Sequence, residues 1–195
     1  ERTRAVWGLY QPVWRQYLSF IKNLLRGNLG DSMSSGVPLT KLLFEKLPPT
    51  IELALAALVV STIIGVGAGV VSSVTKNKLL DYGVRNLSIL GLSLPLFWVG
   101  IMLIVLFAVK LHWLPVGGRI GAGLNYQTIT NFMLIDHIIT GNWQALGIFL
   151  QHLTLPALAV SLTSAGFAAR LARSSMLEVI RLDYTRTARA KGLRE

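Results

Sequence analysis

Residues 50–74, TIELALAALVVSTIIGVGAGVVSSV, decide the fold, because these 25 residues carry a single charge, Glu52, near their start. A helix of this length is roughly 37 Å long, which is enough to cross a hydrocarbon core of about 30 Å. Gly65, Gly67 and Gly69 lie in its middle. No strand precedes them and no polar turn contains them, so we interpret them as points of close helix contact and not as a dinucleotide-binding loop. Glu52 is expected at the edge of the span, in an interfacial or structural role.

Two further segments have the same apolar character. Residues 86–109 contain no charged residue, and residues 151–169 contain none unless His152 is protonated. Both are long enough to cross a bilayer. Three spans, at about 50–74, 86–109 and 151–169, are therefore expected to form a transmembrane core within residues 50–173.

Pro95 interrupts the second of these segments. A proline inside a helix frees a backbone carbonyl and kinks the helix, which membrane proteins tolerate where neighbouring groups or water satisfy the carbonyl. Such a kink fits the lining of a transport pathway and fits simple packing equally well. Candidates for the pathway are Ser93, Pro95 and Trp98.

The composition indicates an all-α, polytopic membrane protein. Of the 195 residues, 52% are hydrophobic and 14% are charged, whereas about a quarter of a typical soluble domain is charged. The net charge of +10 does not indicate a nucleic-acid partner, because the basic residues flank apolar runs and do not alternate with aromatic residues on a polar surface. The chain begins without an initiator methionine, so we expect it to be a fragment.

The residue content argues against several classes of chemistry. Cysteine is absent, which excludes disulfides and thiolate metal sites. His112, His137 and His152 lack the paired spacing of metal-binding helices, so no metal site is expected. The spans contain no paired carboxylates and no nucleophile elbow, and the chain has no phosphate-binding glycine loop. We therefore expect neither an enzyme nor a chain that binds ATP itself.

The basic residues predict the orientation of the three spans. The connector 75–85 and the tail after residue 169 must share one side of the membrane, and they hold three and seven Lys or Arg residues. The connector 110–151 must lie opposite and holds two. Because basic residues are enriched on the cytoplasmic side, the first two segments are expected in the cytoplasm. Residues 1–49 would then be extracytoplasmic, in spite of their seven basic residues.

Two features lie outside the spans. Apolar residues at spacings of three and four, with basic residues between them, predict an amphipathic helix that suits the membrane interface and a neighbouring protein surface equally: Val13, Trp14, Tyr17, Leu18, Ile21, Leu24 and Leu25. In the connector 110–151, Asp136 and His137 are adjacent, but neighbours in sequence do not face each other on a helix. We interpret them as a solvated loop pair in an interfacial or re-entrant segment.

The tail, residues 174–195, is short and basic but contains the signals of a small helix. Asp183 is a suitable N-cap, residues 184–191 could form about two turns, and Gly192 stands where a left-handed residue would end them. A helix this short rarely persists alone in water. It must be held by another part of the molecule, by a partner or by a membrane.

The tail sequence DYTRTARAKGL, residues 183–193, resembles the cytoplasmic EAA loop of binding-protein-dependent ABC importer permeases, in the branch for dipeptides, oligopeptides and nickel. The resemblance covers almost the whole chain. It includes LLRGNLG at 24–30, LPPTIELAL at 47–55, GLSLPLFW at 91–98 and WLP at 113–115. Each run is weak alone, and their order and spacing make the match strong.

The resemblance implies a partial MetI-like ABC importer transmembrane domain in a bacterial or archaeal cell membrane. The chain would be the middle of a longer permease that also has a first and a last span. Implied partners are a second homologous permease subunit, two ATP-binding subunits with their ATP and Mg, an extracytoplasmic substrate-binding protein and the lipid bilayer. The branch carries peptides, nickel chelates, glutathione and some glycosides.

Residues 174–195 would form the coupling loop, whose short helix docks in a groove on the ATPase. The residues carried over from the motif are Asp183, Tyr184, Arg186, Thr187, Ala188, Arg189, Ala190, Lys191 and Gly192. On a helical wheel, Tyr184, Thr187, Ala188 and Lys191 share one face. The sequence departs from the motif in two ways: Arg186 replaces the glutamate that names it, as is usual in this branch, and the chain stops before the motif's apolar and proline positions.

Two alternatives remain open. A basic tail could instead bind anionic lipid beside a non-catalytic membrane scaffold. An ion-driven secondary transporter is the other, although such proteins usually place charged or strongly polar residues near the middle of the bilayer, and these spans have none there.

Overall fold

The structure, a computed structural model, describes residues 12–32, 35–75, 78–120 and 128–192, and it divides into two units, residues 1–49 and residues 50–195. The described part is helical, which confirms the predicted all-α class. Its helices are α1 Val13–Leu25, α2 Leu39–Val74, α3 Lys78–Ser93, α4 Leu96–Leu103, a π-helix Ile104–Lys110, α5 Met133–Ile139, α6 Trp143–Ile180 and α7 Asp183–Ala190.

The helices α2 and α6 are the two within the described residues that are each long and apolar enough to cross a membrane. Both are longer than the apolar runs that predicted them. α2 begins at Leu39 and contains Pro48 and Pro49, and α6 runs well past residue 169 to Ile180. Hydropathy locates the part of a helix that lies in lipid, whereas the helix itself continues as long as its residues favour helical conformation.

Two of the three glycines of α2 bring it against α6. A Cβ built on Gly65 would lie 2.7 Å from the carbonyl oxygen of Ala165, and one built on Gly69 would lie 2.6 Å from that of Ala169. Gly67 has nothing within 4 Å of such an atom. The prediction of close helix contact is thus confirmed at Gly65 and Gly69. Because the paired residue numbers rise together, α2 and α6 run parallel.

A second close contact attaches α3 to α6. A Cβ on Gly166 would meet the carbonyl oxygen of Ser88 at 2.8 Å, and one on Gly91 would meet that of Leu162 at 3.0 Å. Here one residue number rises while the other falls, so α3 runs antiparallel to α6. The chain therefore turns back between its two long parallel helices.

The hydroxyl groups of the apolar helices bond within their own helix. Ser61 donates to Leu58 O, Ser88 to Val84 O, and Ser161, which is fully buried, to Leu158 O. A hydroxyl that bonds a carbonyl three or four residues earlier needs no other partner. These polar side chains are therefore satisfied inside an apolar environment.

The kink expected at Pro95 is a complete break between two helices. The axes of the segments Asp81–Gly91 and Leu96–Lys110 differ by 111°. Pro95 has φ −61° and ψ 134°, an extended conformation, and the residue before a proline is also biased away from helix. α3 ends at Ser93, and α4 begins afresh after Pro95.

Glu52 attaches the connector between the π-helix and α6 to the first half of α2. It is 8% exposed, accepts a hydrogen bond of 2.7 Å from Arg119 and accepts another of 2.8 Å from the amide of Leu134. The Leu134 amide belongs to the first turn of α5, where backbone donors have no partner within the helix. Glu52 therefore has a structural role: it pairs with a cation and also satisfies a helix end.

Asp136 and His137 do not form the solvated loop pair that the sequence predicted. They are 0% and 1% exposed. Asp136 accepts hydrogen bonds from the Thr130 amide at 3.0 Å, the Thr130 hydroxyl at 2.7 Å and the Ile129 amide at 3.1 Å. His137 packs edge-on against Phe149 of α6, with ring centroids 6.2 Å apart. The prediction was wrong because the connector folds back over the start of α5.

The same connector is held to α6 by His152. Its Nδ1 lies 2.9 Å from the carbonyl oxygen of Gly117. A carbonyl oxygen only accepts, so Nδ1 carries the hydrogen in this contact. Together with the Glu52 contacts, this bond brings the connector to the early part of both long helices.

Alanine at Gly69 should destabilise the protein, whereas alanine at Gly67 should not. At Gly69 the new methyl group collides with backbone, and overpacking of this kind costs about 1–3 kcal/mol. At Gly67 the methyl group meets nothing. The measurement is the thermal midpoint of the purified protein in detergent. Equal midpoints for the two variants would contradict the close packing of α2 on α6.

Asp136→Asn should loosen residues 128–132. An amide side chain replaces one acceptor oxygen by a donor, and loss of a hydrogen bond to a charged group costs about 1.5–3 kcal/mol. Amide hydrogen exchange at Ile129 and Thr130 should then be faster by roughly ten- to a hundredfold. Exchange in α6 should stay unchanged and serves as the control.

The protection that Asp136 gives to the amides of Ile129 and Thr130 should also depend on pH. Burial by itself raises the pKa of Asp136, but the hydrogen bonds from Thr130 and Ile129 outweigh it, so the pKa is lowered from its usual value. A carboxylate with a lowered pKa stabilises the fold fully above the unfolded pKa of about 3.9, and it loses that effect as the pH falls through the folded pKa. The protection difference between wild type and Asp136→Asn should therefore be constant near neutral pH and shrink only in acid.

Candidate functional site

The short helix α7 follows α6 after a turn of two residues. The Arg181 amide donates to Glu178 O at 3.1 Å, and the Leu182 amide donates to Val179 O at 3.2 Å. At the other end of α7, the Lys191 amide donates to Thr187 O, and Gly192 has φ +78°. The predicted short helix ending at a left-handed glycine is confirmed, with its start at Asp183, one residue earlier than predicted.

The described side chains of α7 are exposed. Tyr184 is 63% exposed, and Asp183, Thr187, Ala190 and Lys191 are exposed as well. The side chains of Thr185, Arg186, Ala188 and Arg189, together with residues 193–195, lie outside the described part of the structure. The described side chains of α7 and of the following Lys191 are therefore exposed, and most of them are polar.

An ion pair fastens the start of α3 to the last third of α6. Arg173 donates to both carboxylate oxygens of Asp81, from Nε at 2.6 Å and from the second guanidinium nitrogen at 3.0 Å. The side chains are 22% and 21% exposed. Two parallel charge-assisted hydrogen bonds fix orientation as well as distance. The end of α6 that leads into α7 is therefore fixed to α3.

Sequence reasoning missed this pair. Asp81 and Arg173 are 92 residues apart and belong to segments interpreted only as polar connector and basic tail. The one available signal was that Asp81 is the single acidic residue among the basic residues of the connector 75–85. A lone acid in a basic segment favours a cationic partner, but it does not say which one.

A shallow depression lies along the last turns of α6, beside the start of α7. It is lined by Arg173, Ser174, Leu177, Glu178, Arg181 and Leu182. The first four of these residues lie on one face of α6, since they recur at spacings of three and four, and Arg181 and Leu182 form the turn that follows. The face combines apolar and charged groups next to the exposed short helix.

The helices α2, α3, α4 and α6, together with the π-helix, line an open cavity of about 410 Å³ whose lining is almost entirely apolar. Of the three pathway candidates, Trp98 lines it, whereas Ser93 and Pro95 are not part of the lining. Ser93 donates its hydroxyl to Ile89 O, and Pro95 stands at the break before α4. The cavity offers an apolar surface and few groups that could hold a charged solute.

The described residues contain no group of three His, Asp or Glu side chains arranged as metal ligands. Glu52 and Asp136, the buried carboxylates of the described chain, are occupied with Arg119 and with backbone and hydroxyl donors. The site therefore consists of two parts, the apolar cavity between the helices and the basic helix α7 at the end of α6.

Comparison with known proteins gives a family. The sequence-family model described as binding-protein-dependent transport system inner membrane component matches residues 61–195. A di/tripeptide transport system permease protein of Pseudomonas aeruginosa is 41% identical over 95% of this chain and 55% of its own length. Dipeptide transport system permease proteins of Escherichia coli and Alkalihalophilus pseudofirmus are each 38% identical over 95% of this chain and 56% of theirs.

This chain spans about half the length of the curated relatives it matches. The matched residues include the parallel pair α2 and α6 from residue 61 onward, the break at Pro95 and the short helix α7. The chain belongs to the family of binding-protein-dependent transport system inner membrane components.

Proposed function

We propose that this chain forms part of the permease subunit of an ATP-driven importer, for peptides or a related small solute such as a nickel chelate or glutathione. It provides transmembrane helices of the pathway and performs no catalysis itself. The relatives' names, which refer to di- and tripeptides and to dipeptides, support the peptide class. The almost wholly apolar lining of the cavity suggests that solute selection rests largely with a separate extracytoplasmic binding protein.

We further propose three crossings of the inner membrane. α2 and α6 cross as continuous helices, and α3 with α4 and the π-helix crosses as one broken span. Parallel packing at Gly65 and Gly69 supports this arrangement, because the chain between two parallel spans must cross an odd number of times. The contacts agree: Asp81 lies at one end of α6, near Arg173, and Gly117 lies toward the other, near His152.

The position of the short helix α7 at the end of α6, with its described side chains exposed, is the observation that carries the coupling proposal. In the proposed importer, residues 183–192 dock on a cytoplasmic ATPase subunit that holds ATP and Mg. A helix of eight residues gains its stability from such a partner, since it is marginal alone. A second homologous permease and a second ATPase subunit complete the importer.

The Asp81 to Arg173 pair transmits movement from α7 to the pathway. α6 leads into α7 after two residues, so displacement of α7 acts on the end of α6. The ion pair passes that displacement to α3, which lines the cavity through Val84, Ser88 and Gly91. The link consists of a continuous helix and a bidentate ion pair. Both can transmit small displacements.

Replacing Ala188 by phenylalanine should uncouple transport from ATP hydrolysis. A bulky group on the docking face weakens the interface, and each lost 1.4 kcal/mol is about a factor of ten in affinity. Uptake into proteoliposomes should fall by roughly tenfold or more, while basal ATP hydrolysis persists.

Ser175→Phe is the matched control, because Ser175 is exposed on α6 and does not line the depression beside α7. Uptake by this variant should match wild type. Unchanged uptake in the Ala188 variant would contradict docking through residues 183–192. Loss of the spans' thermal transition would instead indicate misfolding, so the transition is recorded for every variant.

Arg173→Gln should lower the uptake achieved for each ATP hydrolysed. The variant leaves Asp81 without its bidentate partner, at a cost of about 1.5–3 kcal/mol. The double variant Asp81→Arg with Arg173→Asp should recover part of the coupling ratio, because the opposite charges meet again. Arg170→Gln, the same change at an exposed position one turn earlier, is the control. A normal ratio in Arg173→Gln would show that the link is not used.

A further inference from the structure

The helix α1 has an apolar face that the described part of the chain leaves open. None of its residues is buried. Val13 is 81% exposed, Tyr17 63%, Leu18 57% and Leu25 83%. A continuous apolar surface of this kind usually marks an interaction site.

The residues of α1 separate cleanly around its axis. Successive residues of an α-helix are about 100° apart, which places all the apolar residues on one arc of roughly 160°. In order around this arc they are Phe20, Val13, Leu24, Tyr17, Ile21, Trp14, Leu25 and Leu18. The next three positions around the axis, beyond Leu18, are Lys22, Arg15 and Arg26, the last of which is the residue that follows α1. The cations thus form a row along one edge of the apolar arc.

No acidic residue in the same segment neutralises this row of cations. Residues 12–30 contain no aspartate or glutamate. The Arg15 guanidinium lies 5.0 Å from the centroid of the Trp14 ring, so this cation lies close to the aromatic surface at the edge of the arc. Long basic side chains at such an edge can lay their methylene groups on apolar surface while the charge reaches anionic groups.

The length of α1 restricts what can cover the arc. Its 13 residues extend about 20 Å, which is shorter than a hydrocarbon core of about 30 Å, so α1 does not cross a bilayer. Aromatic and aliphatic residues on one face, bordered by cations, are typical of helices that lie in the plane of the membrane interface. A lipid surface also needs no shape complementarity to the mixed aromatic and aliphatic side chains of this arc. Charge and composition therefore favour lipid over a protein partner.

We propose that α1 lies flat in the membrane interface, with its apolar arc among the acyl chains and with Lys22, Arg15 and Arg26 against anionic phospholipid headgroups. The contact anchors the unit formed by residues 1–49 to the bilayer surface. It does not depend on the transported solute or on the ATPase.

The absence of cysteine from the chain allows a direct test by single-site spin labelling. Labels are placed at Leu18→Cys, on the apolar arc, and at Ser19→Cys, on the polar side. Both are measured in the assembled importer, with cysteine-free partner subunits, in vesicles of phosphatidylcholine and phosphatidylglycerol. The label at 18 should be accessible to oxygen, which dissolves among the acyl chains, and shielded from an aqueous nickel chelate. The label at 19 should be more accessible to the chelate than to oxygen.

Two results would overturn the proposal. A label at 18 that is shielded from both oxygen and the nickel chelate would mean that protein covers the arc. Labels at 18 and 19 that are equally open to the chelate would mean that α1 lies in water.

The headgroup contact is tested separately by replacing Arg15, Lys22 and Arg26 together with glutamine. In vesicles containing phosphatidylglycerol, chelate access to the label at 18 should rise several-fold. In pure phosphatidylcholine, the variant and the parent should be alike. The double variant Lys41→Gln with Lys46→Gln lies in the same unit but outside α1. It should leave chelate access to the label at 18 unchanged in both kinds of vesicle. Equal chelate access for variant and parent in the presence of phosphatidylglycerol would overturn the role of the cations.

Discussion

Close backbone contact between α2 and α6 at Gly65 and Gly69 is the constraint on which the rest of this structure depends. Helices in lipid gain little from burying apolar side chains against each other, so they associate where small residues let their backbones approach. The contact makes α2 and α6 parallel. The chain between two parallel helices must reverse its direction. This reversal begins with α3, which packs antiparallel on α6 at Gly91.

Charged contacts hold the two ends of this assembly, whereas its middle is apolar. Glu52 and Arg119 pair at one end, and Asp81 and Arg173 pair toward the other. Between them, serine hydroxyls bond carbonyls of their own helices. Charge is costly within lipid, so ion pairs are expected where helices leave it. The ends are also where the connectors and α7 attach.

The sequence predicted features that depend on local periodicity and composition. The apolar runs located α2 and α6, the spacing of apolar residues located α1, and the signals at Asp183 and Gly192 located α7. The break at Pro95 was underestimated, because a proline disfavours helical conformation in the residue before it and can therefore stop a helix as well as bend it. Asp136 and His137 were misjudged, because polarity alone does not reveal that residues 129 and 130 fold back as donors.

By itself, the sequence determined that the protein is helical, that it carries segments apolar enough for a membrane and that its last described helix is short and basic, since these properties follow from neighbouring residues. Only the tertiary structure decided which glycines make contact, that α2 and α6 run parallel, and that Glu52 and Arg173 find partners 67 and 92 residues away. Contacts over such separations depend on how whole helices pack. No local pattern of residues encodes that packing in a form that can be read directly.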